Sequence, residues 1–210
     1  MLKTRIAVFV SGGGTNLQAL IDAQRSGLLR SGKIVLVISS RPDAFALERA
    51  RRAGIETAVV SARELGSQEA AEARISALLE QRRIELIILA GYMSILSADF
   101  TARWPERILN VHPSLIPAFC GKGYYGLRVH EAALARGVKL TGATVHFVNE
   151  IPDGGKILLQ QPVAVCGGDT PETLQRRVME QAEWKLLPEA VKRFCAGKIR
   201  LHGGRAQLLE

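Results

Sequence analysis

Ile34-Val-Leu-Val-Ile38 and Leu86-Ile-Ile-Leu89 are uninterrupted apolar runs of strand length. A strand with no polar residue on either side has to be covered on both faces, the condition of a parallel sheet lying between helices. The intervening segments have helical periodicity: Asn16 to Arg25, Ala44 to Arg52, and Glu69 to Arg82, the last with Ile75, Leu78 and Leu79 on one side. Two more short strands, Ile6 to Val10 and Thr57 to Val60, complete an alternation of strand and helix up to Leu89. The expected fold class is α/β: an open, mostly parallel Rossmann-like sheet with helices on both faces.

The second half changes character. A strand at 108–112 leads into a Gly-rich loop at 120–126 and a short helix near 128–136. Thr141 to Val148 and Lys156 to Val165 are expected strands on either side of Asp153-Gly154-Gly155, whose sharp reversal implies antiparallel additions to the parallel core. Pro171 to Phe194 is expected as one long helix, with a short tail strand at 199–202. No internal repeat or Pro/Ser-rich linker divides the chain, so a single domain over 1–210 is expected, with halves of about 1–100 and about 101–200.

Composition narrows the partners. No apolar stretch approaches the ~18 residues needed to span a bilayer. Met1-Leu2-Lys3-Thr4-Arg5 runs straight into a strand without the apolar region of a signal peptide, so a cytoplasmic chain with no membrane partner is expected. Cys120, Cys166 and Cys195 are far apart and form no CxxC pair, which indicates neither a disulfide framework nor a metal site. The net charge is +8, but the basic residues are scattered in pairs such as Arg82-Arg83 and Arg176-Arg177 on expected helix surfaces. That distribution fits a general field drawing in anionic small molecules, with no nucleic-acid partner.

Two features carry chemistry. FVSGGGTNLQ (residues 9–18) closes the first strand and opens the first helix. Consecutive glycines let backbone N–H groups turn toward an anion at a helix N-terminus, so Gly13, Gly14, Thr15 and Asn16 are expected to cradle a single phosphate. No Gly-Lys-Ser/Thr follows, and Leu17 stands where a dinucleotide fingerprint needs its third glycine. Arg41 is able to hold a 2′-phosphate, which keeps an NADP-dependent reductase as an alternative. The other feature is Asn110-Val111-His112. Strand periodicity points Asn110 and His112 to the same face, at the edge where parallel sheets bind ligands. An Asn amide is a fixed donor for a developing oxyanion, and a neutral His moves protons near pH 7. Asp153 can orient the ring and stabilise its cation. His146, in GATVHFV, is a further candidate, although its apolar neighbours favour an ordinary core position. Ser114 follows His112 too closely for a nucleophile triad. Asn110, His112 and Asp153 together suit attack on a carbonyl carbon with proton transfer, needing neither a metal nor a side-chain nucleophile.

SGGGTNLQ, LAGYMSILS, ILNVHPSLIPAF, GATVHFV and DGGKILLQ occur in the order and spacing of the phosphoribosylglycinamide formyltransferases, a folate-dependent family that the chain resembles over about residues 5–198. The resemblance implies that the amine of glycinamide ribonucleotide attacks the formyl carbon of the cosubstrate 10-formyltetrahydrofolate. It assigns oxyanion stabilisation to Asn110 and His112, and proton movement to Asp153. The Gly13–Asn16 loop becomes the ribonucleotide phosphate site, in the N-terminal half, and Glu183 a second ribonucleotide contact. Met93, Ser94, Ile95, Leu96, Asn110 and Val145 become the folate site, with the loop Ile151-Pro152-Asp153 covering it, so that the C-terminal half binds folate and carries the catalysis. It implies a monomer or homodimer. The chain departs from the family pattern in three places. Ser94 stands where many members have a basic residue. The loop containing Lys122, Tyr124, Tyr125 and His130 is longer than the compact family version, and RRVMEQAEW holds one extra residue before Glu183. Methionyl-tRNA formyltransferases, with a similar catalytic domain, and formyltetrahydrofolate hydrolases, which share the trio, stay as alternatives, although both normally carry further domains and the length is expected to argue against them.

Overall fold

In the computed structural model, which describes residues 3–209, five strands run parallel: β1 (Thr4–Val10), β2 (Gly32–Ser39), β3 (Glu56–Val59), β4 (Leu86–Leu89) and β5 (Ile108–His112). Met1 and Leu2 of the expected N-terminal run lie outside the described residues. Antiparallel strands β6 (Leu140–Phe147) and β7 (Ile157–Ala164) extend the sheet, giving the order β3-β2-β1-β4-β5-β6-β7. The connecting helices are α1 (Thr15–Arg25), α2 (Phe45–Arg52), α3 (Ala62–Leu65), α4 (Gln68–Gln81), α5 (Ala98–Ala102), α6 (Leu127–Arg136), α7 (Pro171–Val178) and α8 (Trp184–Cys195). A separate hairpin, β8 (Ile199–His202) and β9 (Arg205–Leu208), ends the chain.

The two faces of β1 feed two cores, as period-two side-chain alternation requires. Ile6, Val8 and Val10 join Leu17 of α1 and Leu187 of α8, while Ala7 and Phe9 join Ile75 and Leu79 of α4 and Phe100 of α5. Helix starts follow side-chain capping: Ser67 accepts from the Ala70 amide, and Thr170 and Thr173 form a capping box with Pro171 at the first helical position.

The sequence reading differs from the structure in three respects. α3, α5 and β9 are too short to leave a periodic signal. β3 is an edge strand with Glu56 and Val59 exposed, so it is not covered like its neighbours. The expected helix from Pro171 to Phe194 is interrupted by a π-helical turn at Met179–Glu183, between α7 and α8. A π turn accommodates one additional residue in a helix.

Candidate active site

The strand order reverses between β1 and β4, and the carboxyl ends of β1, β4 and β5 open there into a cavity of about 690 Å³. Residues from three segments meet in it: Thr15 and Asn16 after β1, Gly91 to Ile95 after β4, and Asn110 to His112 on β5.

The polar centre is built by pairing β5 with β6. Register places Asn110 opposite His146 and His112 opposite Thr144, so all four side chains share one face of the sheet. Asp153 arrives from the loop between β6 and β7 and spans the two rings. Its Oδ2 lies 3.5 Å from His112 Nδ1 and its Oδ1 lies 3.5 Å from His146 Nε2. The Gly121 amide donates to Asp153 Oδ2 at 2.8 Å. Asp153 has a φ of 56°, a left-handed conformation that costs a non-glycine residue free energy and persists where surrounding contacts fix it.

Hydrogen bonding sets the protons. His146 Nδ1 is 2.8 Å from the Phe147 carbonyl, which can only accept, so Nδ1 carries hydrogen. His146 Nε2 is then free to accept from the Asn110 amide at 3.2 Å. An amide nitrogen has two hydrogens, which leaves one of Asn110's for a ligand. By the same reasoning His112 Nε2, 2.8 Å from the Phe119 carbonyl, is a donor. Its Nδ1 faces Asp153, an arrangement that suits the imidazolium. Burial nevertheless holds the His112 pKa below the usual histidine value, outweighing the upward pull of Asp153. Burial pushes Asp153 up, but the His146 ring, the His112 charge and the Gly121 amide together keep it below the usual carboxylate range. Asp153 is therefore an ionised carboxylate at rest.

At the other end of the cavity, α1 begins at Gly14 with φ 72° and no side-chain cap, and its first turn has no acidic residue. Asn16 Nδ2 donates to Glu183 Oε2 at 2.6 Å, tying α1 to the π turn. Asn16 Oδ1 is buried without a partner among the described residues, an acceptor open to a ligand hydroxyl or amine. Burial raises the Glu183 pKa to about 7, against the lowering effect of Asn16. Thr15, Asn16 and Glu183 line the cavity; Gly13 and Gly14 lie behind them, with the Gly13 carbonyl accepting from Arg49 Nε at 2.8 Å.

Met93, Ser94 and Ile95 form the opposite wall, Met93 and Ile95 being 54% and 66% exposed. Leu96 and Val145 do not line the cavity. Leu96 is buried in the α4-side core and Val145 in the α1-side core, because each lies on the opposite side of its segment from the cavity-facing residues. The 92–97 segment is fixed by Gln68 Nε2 donating to the Ile95 carbonyl, by the Met93 amide donating to Ser11 Oγ, and by Glu72 accepting from Ser97.

A sequence model of the formyl transferase family matches residues 4–191. The chain is 38% identical to phosphoribosylglycinamide formyltransferase of Escherichia coli over 97% of its length and 92% of that protein. A crystal structure of glycinamide ribonucleotide transformylase 1 from Symbiobacterium toebii superposes with a TM-score of 0.92 at 42% identity, covering 99% of this chain and 95% of that one. The chain belongs to the formyl transferase family. It is also 43% identical to the human trifunctional purine biosynthetic protein adenosine-3, of which it spans 19%.

Within this formyl transferase, the sequence reading missed or underweighted several residues of the cavity and of the buried polar centre. His146 looked like a core histidine because its neighbours are apolar; the signal that singles it out is its register opposite Asn110, which only the β5–β6 pairing supplies. Tyr92 lines the cavity and packs edge-on against Phe9. Gln175 and Met179 form the wall between α1 and α6, with Thr15 Oγ1 3.7 Å from Met179 Sδ. Lys122, Tyr124, Tyr125 and His130 all line the cavity. Arg41, the cation that kept a reductase reading open, forms a bidentate pair with Asp43 at 2.6 and 2.9 Å and does not reach the cavity. Among the described residues, no group of three or more His, Cys, Asp or Glu is arranged to hold a metal ion, and no helix is long and apolar enough to cross a membrane.

Proposed function

We propose that this chain transfers the formyl group of 10-formyltetrahydrofolate to the amine of glycinamide ribonucleotide, a step of de novo purine synthesis. The observation that carries the reading is Asp153 held between His112 and His146 at 3.5 Å from each, with Asn110 alongside. The ribonucleotide enters with its phosphate toward the α1 N-terminus and its ribose toward Asn16 and Glu183. The folate lies against the wall at 93–95 beneath the loop 151–153, and its formyl group reaches Asn110 and His112. These roles assign ribonucleotide binding mainly to the N-terminal half and formyl chemistry to the C-terminal half of one domain. The reaction uses no nucleic-acid or membrane partner and runs in the cytoplasm.

The amine lone pair forms a bond to the formyl carbon, and the carbonyl electrons move onto oxygen. Asn110's free amide hydrogen stabilises that oxyanion, joined by the His112 Nδ1–H when the ring is protonated, interactions stronger in the transition state than in the ground state. Asp153 accepts the proton shed by the amine and returns one to the folate nitrogen as its bond to carbon breaks. Burial strengthens each of these interactions by excluding water.

Absorbance of a 10-formyl-dideazafolate should change only when glycinamide ribonucleotide is also present. No ribonucleotide-dependent change would sink the reading, and a change with water alone would mark a hydrolase.

A further inference from the structure

The cavity wall carries two carboxyl groups, Asp153 and Glu183, and a single Lys or Arg, Lys122. We propose that Lys122 is the cation that binds the phosphate monoester of the ribonucleotide, adding a charged side chain to the amides of the α1 N-terminus. This assignment rests on the proposed formyl transfer and goes beyond it, since the Gly-rich turn at residues 12–14 accounts for backbone donors but supplies no charged side chain.

The first observation is electrostatic. A phosphate dianion entering a cavity that already holds Asp153 and Glu183 is opposed by like charge. A helix N-terminus offers only about half a charge in return. Arg49, the cation beside the α1 loop, does not line the cavity: its Nε donates to the Gly13 carbonyl and its Nη1 to Gln18 Oε1. On the α7 wall the cavity residues are Gln175 and Met179, neither of them charged.

The second is the state of Lys122 itself. Like most of the chain's cations, Lys122 has no ion-pair partner among the described residues, so an entering anion meets no carboxylate already holding it. Its side chain is exposed while its backbone is fixed. Gly121 holds it on one side through the hydrogen bond its amide donates to Asp153, and Gly121 and Gly123 have φ of 87° and 94°, conformations that glycine adopts without cost. A flexible four-carbon stem on an anchored loop suits capture of an anion whose position is set elsewhere.

The third is placement. The loop carrying Lys122 runs into α6, which packs against α7, and the α7 end of the cavity is the end where Met179 touches Thr15 of α1. The loop therefore faces the same cavity as Thr15, Asn16 and Glu183.

Steady-state kinetics of Lys122→Met and Lys122→Arg test this, with glycinamide ribonucleotide and with its dephosphorylated riboside. Lys122→Met should raise the KM for the ribonucleotide about tenfold, the size of one charge-assisted hydrogen bond, leaving the KM for the formyl folate in place. Lys122→Arg should recover most of the loss. The riboside, having no phosphate, should be used equally well by wild type and Lys122→Met. A rise in the folate KM instead would give the lysine to the folate carboxylates and overturn the proposal, as would equal losses on ribonucleotide and riboside, or no loss at all. Calorimetric titration of each protein with the ribonucleotide alone reads the same contact without turnover. A wild type that binds ribonucleotide more tightly than Lys122→Met, yet transfers no formyl group, would overturn the function and leave the lysine's role standing.

Discussion

β1 and β5 lie on either side of β4 and end at the same cavity, yet they deliver different things to it. Ile6 to Val10 are buried on both faces, and the strand contributes through the turn that follows, where backbone amides open the first helix. β5 contributes side chains directly, Asn110 and His112 on one face, with apolar Leu109 and Val111 packed in the core on the other. Anion recognition by amides needs glycine conformations and a helix end. Proton transfer needs titratable groups at fixed separations, and a strand paired in register with a second strand supplies them.

The largest effects should come from the β5 side. His112→Ala and Asp153→Asn should each lower kcat by roughly 10²–10⁴-fold, the range for loss of a positioned proton-transfer group. Calorimetry should show ribonucleotide binding largely retained, because the phosphate site is built from other residues. Near-normal turnover in either variant would remove that residue from the assignment. His146→Ala should be milder, about tenfold in kcat, because it removes one hydrogen bond that orients Asn110 and Asp153. A loss as large as that of His112→Ala would mean His146 acts on substrate itself.

Changes on the β1 side should show in binding and stability. At Gly14, φ is 72° and an added Cβ would sit 2.6 Å from Ala46 Cβ and 2.8 Å from the Ala46 backbone. Gly14→Val should therefore cost about 1–3 kcal/mol of stability and raise the ribonucleotide KM. An unchanged KM would separate the loop from the phosphate. The smallest effect is on pH dependence. The Glu183 pKa is raised from 4.5 to about 7 in the folded state, so the stability contributed by its protonated form is present below about 4.5 and lost as pH rises through about 7. Glu183→Gln, still able to accept from Asn16, should match the wild-type Tm near pH 4.5 and exceed it increasingly toward pH 8. A Tm difference that does not grow with pH would show that Glu183 is ionised throughout.

The same contrast explains what was legible in the sequence. The strands 86–89 and 108–112 were read to the residue, because a short run of apolar residues bounded by breakers has one conformation that buries it. Asn110, His112 and Asp153 were legible as residue types that break local pattern for no packing reason. Glu183 was legible only through family resemblance; its burial depends on a π turn, whose single extra residue no periodicity reveals. Leu96 and Val145 belong to segments that border the site, but their side chains turn into the cores: Val145 alternates with the site-facing Thr144 and His146 of β6, and Leu96 packs with the α4 side of the sheet.

By itself, the sequence determined the layered parallel core, the glycine turn opening the first helix, and the two polar residues sharing a strand face. Each follows from interactions within one segment: side-chain period, backbone freedom and burial of a single apolar run. Only the tertiary structure decided that His146 stands opposite Asn110, that Asp153 bridges both rings, and that Asn16 reaches Glu183 across 167 positions of chain. Those contacts depend on strand register and on where separate helices dock. No single segment carries that information, because the free energy that fixes it is shared among all the surfaces buried together.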